Sequence, residues 1–105
     1  MRQQEYVSYL KYCNNKFLLL ADRILKESKT PPVIILMGDH GFRHFIEPVD
    51  KQYHFMNFNA VFLPGNNYEG FYKGMSGVNQ FRIILNSMLN QQFTLLKDST
   101  SFLLE

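Results

Sequence analysis

The chain holds a single cysteine, Cys13, among its 105 residues, so no disulfide can form within it. Cys13 falls on the apolar side of a helical pattern and is expected to be a buried thiol. Strong charge is also missing: 11 basic against 9 acidic residues leave a formal net charge of +2. Lysines and arginines are scattered (Arg2, Lys11, Lys16, Arg23, Lys26, Lys29, Arg43), and no basic stripe interleaved with aromatics appears. That excludes nucleic acid as the expected partner. No apolar run approaches the ~20 residues that cross a bilayer, and the polar start Met1-Arg2-Gln3-Gln4-Glu5 is no signal peptide. A membrane is expected to matter only through an anchor lying upstream. Repeats, low-complexity tracts and interdomain linkers are absent. So are a Ser-His-Asp or Cys-His nucleophile constellation and a phosphate loop, since Gly65, Gly70, Gly74 and Gly77 lack the spacing and strand-to-helix setting such loops need.

What is present is a packed composition, 46% hydrophobic and 15% aromatic, enough for one small globular body. Tyr6, Leu10, Cys13, Phe17, Leu20 and Ile24 recur in steps of four and three, which predicts an amphipathic helix over about 3–28. Leu18, Ala21 and Leu25 widen its stripe, which suits a helix packed on a sheet better than a coiled coil. Ser28-Lys29-Thr30-Pro31-Pro32 ends the helix and starts a strand at Val33. A second strand is expected over 54–63, closed by the turn Pro64-Gly65-Asn66-Asn67. Residues 68–77 read as a glycine-punctuated loop. Phe81, Ile84, Leu85 and Met88 share a face of a second helix from Asn79 to about Leu89, with Ser76 as a candidate N-cap. The apolar tail Phe93 to Leu104 turns at Lys97-Asp98-Ser99 and is expected to end in a short strand. The order is helix, strand, strand, helix, short strand. This is an α/β arrangement with few strands for a free-standing sheet.

The stretch that carries chemistry is Val33-Ile34-Ile35-Leu36-Met37-Gly38-Asp39-His40-Gly41. Its β-branched run predicts a buried strand, and a carboxylate and an imidazole follow directly at the strand end, where open α/β sheets place their sites. Gly38 and Gly41 are expected to let the backbone turn so that both side chains converge. One oxygen and one nitrogen donor make half of a divalent-metal site.

Residues Pro31 to Arg43 resemble the carboxy-terminal metal motif of the alkaline phosphatase superfamily, whose members include sulfatases and phosphoglycerol transferases. The closer likeness is to bacterial membrane-anchored sulfatase-like proteins. Three further segments follow in the same order as in those proteins: Asn59-Ala60-Val61-Phe62-Leu63-Pro64-Gly65, Val78-Asn79-Gln80-Phe81-Arg82-Ile83-Ile84-Leu85-Asn86, and Leu95-Leu96-Lys97-Asp98-Ser99-Thr100-Ser101-Phe102. The resemblance implies a three-layer α/β fold and a metal-dependent hydrolase or transferase of phosphate or sulfate esters. Asp39 and His40 would be ligands of a divalent metal (Mn, Zn, Mg or Ca), with the nucleophile and the other acidic ligands upstream. Residues 1–105 would then be one partial domain, the carboxy-terminal segment of the catalytic domain, inactive alone. Its partner would be the preceding part of the same protein, or a second copy by self-association. The implied full-length protein would work at the periplasmic or other extracytoplasmic face of the inner membrane. A non-catalytic remnant acting through protein–protein association is the alternative.

Other residues carry weaker expectations. Arg43 could contact a phosphate or sulfate oxygen, and His44 and His54 could serve a second metal. Arg82 is expected to tie helix to loop, and Asn79 and Asn86 to cap or bridge. Tyr53, Phe55, Phe58, Phe62, Phe71, Tyr72 and Phe81 are expected mainly in the core.

Overall fold

The computed structural model describes residues 2–42, 46 and 48–101. Arg43, His44 and Phe102 lie outside the described residues. The chain gathers into two compact units, residues 1–64 and 65–105.

The first unit opens with helix α1, Gln3–Glu27. The Glu5 carboxylate accepts the Arg2 N–H at 3.0 Å, one half of a capping box, and so occupies a donor at the helix start. Asp22–Lys26 at 2.7 Å and Arg23–Glu27 at 3.0 Å pair one turn apart on the solvent side. Each such pair adds about 0.3–0.5 kcal/mol. The helix stops at Ser28, whose backbone is extended ahead of the two prolines.

Strand β1, Ile34–Met37, then pairs antiparallel with strand β2, Asn59–Phe62. The register sets Ile34 against Phe62, Ile35 against Val61, Leu36 against Ala60 and Met37 against Asn59. Both faces of this ribbon are therefore apolar apart from Asn59. That composition belongs to a sheet covered on two sides. Here, instead, Ile34, Ile35 and Leu36 are only half-buried, and Val33 and Met37 are exposed. Among the described residues two strands and one α-helix supply too little surface to enclose the expected buried strand.

β2 begins five residues later than the 54–63 expectation. Asp50 caps a 3-10 turn over Lys51–His54: its side chain accepts the Gln52 N–H at 2.9 Å and its carbonyl the Tyr53 N–H at 3.1 Å. The chain winds on through Phe55 N–H to the Gln52 carbonyl and Asn57 N–H to the Phe55 carbonyl. Backbone groups used in turns are not free to form a ladder.

In the second unit Gly65 (φ 83°) and Asn66 (φ 56°) make the expected turn with left-handed backbone. Helix α2, Gly77–Met88, starts where Ser76 accepts the Asn79 N–H at 3.2 Å, as the N-cap reading expects. No strand follows α2 among the described residues, so the expected terminal strand is not found through Ser101. The described residues thus form a mixed helix-and-strand protein with two α-helices and one two-stranded antiparallel sheet.

The core is small. Among the described residues the buried apolar side chains are Leu63 in the first unit and Ile83 and Ile84 in the second, where the polar Asn79 and Gln80 are buried as well. Of the aromatics expected inside, Tyr53, Phe55, Phe58, Phe62, Tyr72 and Phe81 are exposed, and Phe71 alone is half-buried. Cys13 is free and half-buried, not enclosed.

Candidate functional site

Asp39 and His40 leave the end of β1 side by side. The last rung of the ladder is the Gly38 N–H donating to the Phe58 carbonyl at 2.8 Å. The Asn57 side-chain amide donates to the Gly38 carbonyl at 2.5 Å. Past the pair, the Gly41 N–H donates to the His54 carbonyl at 2.9 Å.

Gly38 and Gly41 differ in what they do. The backbone bends at Asp39 and His40 without a positive φ at either glycine; among the described glycines that conformation falls to Gly65 and Gly74. A Cβ on Gly38 would meet ordinary contacts, the nearest at 3.5 Å from the His40 carbonyl oxygen. A Cβ on Gly41 would collide with the Tyr53 carbonyl oxygen and stand 2.7 Å from the His54 carbonyl carbon. Gly41 is small because another stretch of backbone lies against it.

His40 Nδ1 lies 2.5 Å from the Gly41 carbonyl oxygen. A carbonyl can only accept, so Nδ1 carries the proton, and in the neutral ring the Nε2 lone pair is left for a ligand. Nε2 stands 3.8 Å from Asp39 Oδ1. An ion bound at roughly 2.0–2.2 Å to each atom would hold them roughly 3–3.5 Å apart, within a small side-chain rotation. The Asp39 side chain is 91% exposed and that of His40 46%. The donor set therefore fits two corners of a divalent-metal site open to whatever supplies the others. Among the described residues no third His, Cys, Asp or Glu joins them.

The other candidates stand apart. His54 ends the 3-10 turn and supports the site loop through its carbonyl, but it forms no ligand group with Asp39 and His40. Arg43 and His44 fall outside the described residues.

A second polar centre organises residues 65–101. Asn79 is completely buried; its amide donates to the Leu96 carbonyl (2.6 Å), Asp98 Oδ1 (2.9 Å) and the Tyr72 hydroxyl (3.1 Å), and its oxygen accepts the Leu96 N–H (2.8 Å). Asp98 also accepts from the Tyr72 hydroxyl at 2.5 Å and the Ser76 N–H at 2.8 Å. These bonds, Tyr72 foremost, hold the Asp98 carboxyl at about 2, below its usual 3.8, and the same carboxylate raises the Tyr72 phenol. Further along α2, Asn86 exchanges two hydrogen bonds with the Phe93 backbone, and Arg82 donates to the Thr94 carbonyl at 3.0 Å. Asn79, Arg82 and Asn86 are thus the bridging residues expected of them. They occupy the tail's backbone, and their placement inside a fold is structural.

Sequence reasoning missed Asn57 and the partnership of Asp98 with Tyr72. Asn57 had one available signal, a polar residue of poor strand propensity inside an apolar run. Tyr72 and Asp98 are 26 residues apart, and no local pattern links them.

Compared with known proteins, the chain matches no family model, no curated protein and no solved structure.

Proposed function

We propose that this chain is the carboxy-terminal portion of a metal-dependent hydrolase or transferase of phosphate or sulfate esters, of the alkaline phosphatase superfamily type. It contributes Asp39 and His40 as two ligands of a divalent cation and is inactive alone. The observation that carries this reading is the strand-end pair: a solvent-facing carboxylate beside an imidazole whose Nε2 is the free nitrogen, 3.8 Å apart. The resemblance of four segments in order supports it from the sequence side. In such an enzyme the metal activates the nucleophile and stabilises charge on the transferring group. Asp39 and His40 would hold it in place, and the nucleophile would come from the preceding part of the protein.

A two-residue site binds weakly, so the test must register weak binding. Mn2+ added to the isotopically labelled chain is expected to broaden the NMR signals of Asp39, His40 and Gly41 first, an effect that Asp39→Ala removes. Broadening centred elsewhere would sink the metal assignment. The purified chain is expected to hydrolyse neither an aryl phosphate nor an aryl sulfate with Mn2+, Zn2+ or Mg2+. Metal-dependent turnover lost in Asp39→Ala would contradict its inactivity.

A second reading is favoured by one observation, the amount of apolar surface left uncovered in the first unit. Leu18 and Leu19 on α1 are 69% and 66% exposed, and Phe58 and Phe62 on and beside β2 are also open. A non-catalytic remnant that associates with another protein would use such surface. In the enzyme reading the same surface packs against the preceding part of the protein. A metal response at Asp39 and His40 separates the two.

A further inference from the structure

We infer that Asn57 is the positioning residue of the Asp39–His40 pair, acting through the Gly38 carbonyl. The inference has a geometric half, which stands on contacts alone, and a metal half, which rests on the function proposed above.

The segment that carries the pair is pinned on both sides. Before Asp39, Gly38 is held twice: its N–H by the Phe58 carbonyl and its carbonyl by the Asn57 amide. After His40, the Gly41 N–H is held by the His54 carbonyl, with the Gly41 backbone pressed against Tyr53 and His54. The holding groups all come from residues 53–58, downstream in the chain. That stretch is itself fixed, by the Asp50-capped 3-10 turn and by the Asn57 N–H donating to the Phe55 carbonyl.

Of the three ties on the site segment, two are backbone to backbone, and only the Asn57 bond comes from a side chain. The Gly38 carbonyl belongs to the peptide unit whose nitrogen is that of Asp39. Fixing this carbonyl fixes the plane from which the Asp39 side chain departs, and through it the start of the His40 turn. An amide is suited to the task because it presents an N–H to a carbonyl; a carboxylate there would set acceptor against acceptor. The direction of Asp39 and the Nδ1–H to Gly41 bond of His40 then follow from one contact made 19 residues away in sequence. Partners of this kind, which orient ligands without touching the ion, typically change metal affinity by roughly 10–100-fold when removed.

The experiment compares the intact chain with Asn57→Ala, reading two NMR signatures of His40: which ring nitrogen carries the proton, and the Mn2+ concentration that broadens its ring signals. Asn57→Ser, which shortens the side chain's reach but keeps it polar, is the second variant should Asn57→Ala unfold. Unchanged backbone shifts at Ile35 and Val61 confirm that the ladder is intact. The expected result is a loss of the single Nδ1–H form and a roughly tenfold rise in the Mn2+ required. An unchanged ring and an unchanged Mn2+ requirement would overturn the inference, leaving the metal reading in place. If His40 of the unsubstituted chain ignores Mn2+ while its ring still changes in Asn57→Ala, the metal reading falls and the positioning role stands.

Discussion

At the scale of residues, two glycines in one motif make opposite demands. Gly41→Ala drives a methyl group into the Tyr53–His54 backbone, which cannot yield as a side-chain end can. It is expected to cost about 1–3 kcal/mol, the usual range for overpacking, and to shift the Asp39 and His40 resonances. Gly38→Ala meets nothing closer than 3.5 Å and is expected to melt within a few degrees of the unsubstituted chain. Thermal denaturation of the pair checks both. Asn79→Ala is expected to be among the most damaging changes in residues 65–101. It removes a completely buried side chain and with it the bonds to the Leu96 N–H and carbonyl, at about 0.5–1.5 kcal/mol for each hydrogen bond lost. The Asp39–His40 pair was legible in the sequence because residue type, adjacency and strand-end position are all local. The reason for Gly41 was not, because the backbone it admits lies 12 residues downstream.

At the scale of elements, α1 was legible to within a residue because periodicity and the proline stop agree. β2 was legible only in its second half, since nothing in the alternation of Phe58, Ala60 and Phe62 reveals that Asp50 has already bent the preceding segment into a 3-10 turn. The tail shows the converse. Its apolar residues look like a strand, but Asn79, Arg82 and Asn86 of α2 take backbone groups that a ladder would need. That attachment depends on pH in a stated direction. The Asp98 carboxyl is held at about 2 in the folded chain against 3.8 ordinarily, so its bonds stabilise the folded state above pH ~4 and are lost as pH falls through about 4 towards 2. Amide shifts of Ser76 and Leu96 are expected to move together across that window. Asp98→Asn should abolish the movement.

At the scale of the whole molecule, the composition promised a larger core than the described residues build. Phe17-Leu18-Leu19-Leu20-Ala21 places apolar side chains around more than a full turn of α1, which one packed face cannot cover. The sheet is apolar on both faces apart from Asn59, and each of its strands is an edge among the described residues. Such elements suit the interior of something larger. The isolated chain is accordingly expected to self-associate, and Leu18→Glu with Leu19→Glu to weaken that association about tenfold or more by sedimentation equilibrium, since each buried leucine contributes roughly 1.5–3 kcal/mol. The central claim, that this is one portion of a larger enzyme, is tested most directly by the size of the native polypeptide, read by immunoblot of fractionated source cells with an antibody to this chain. A product several times the 12.4 kDa of these residues, in the membrane fraction, is predicted. A product near 12.4 kDa would contradict the claim and leave association with another protein as the function to pursue.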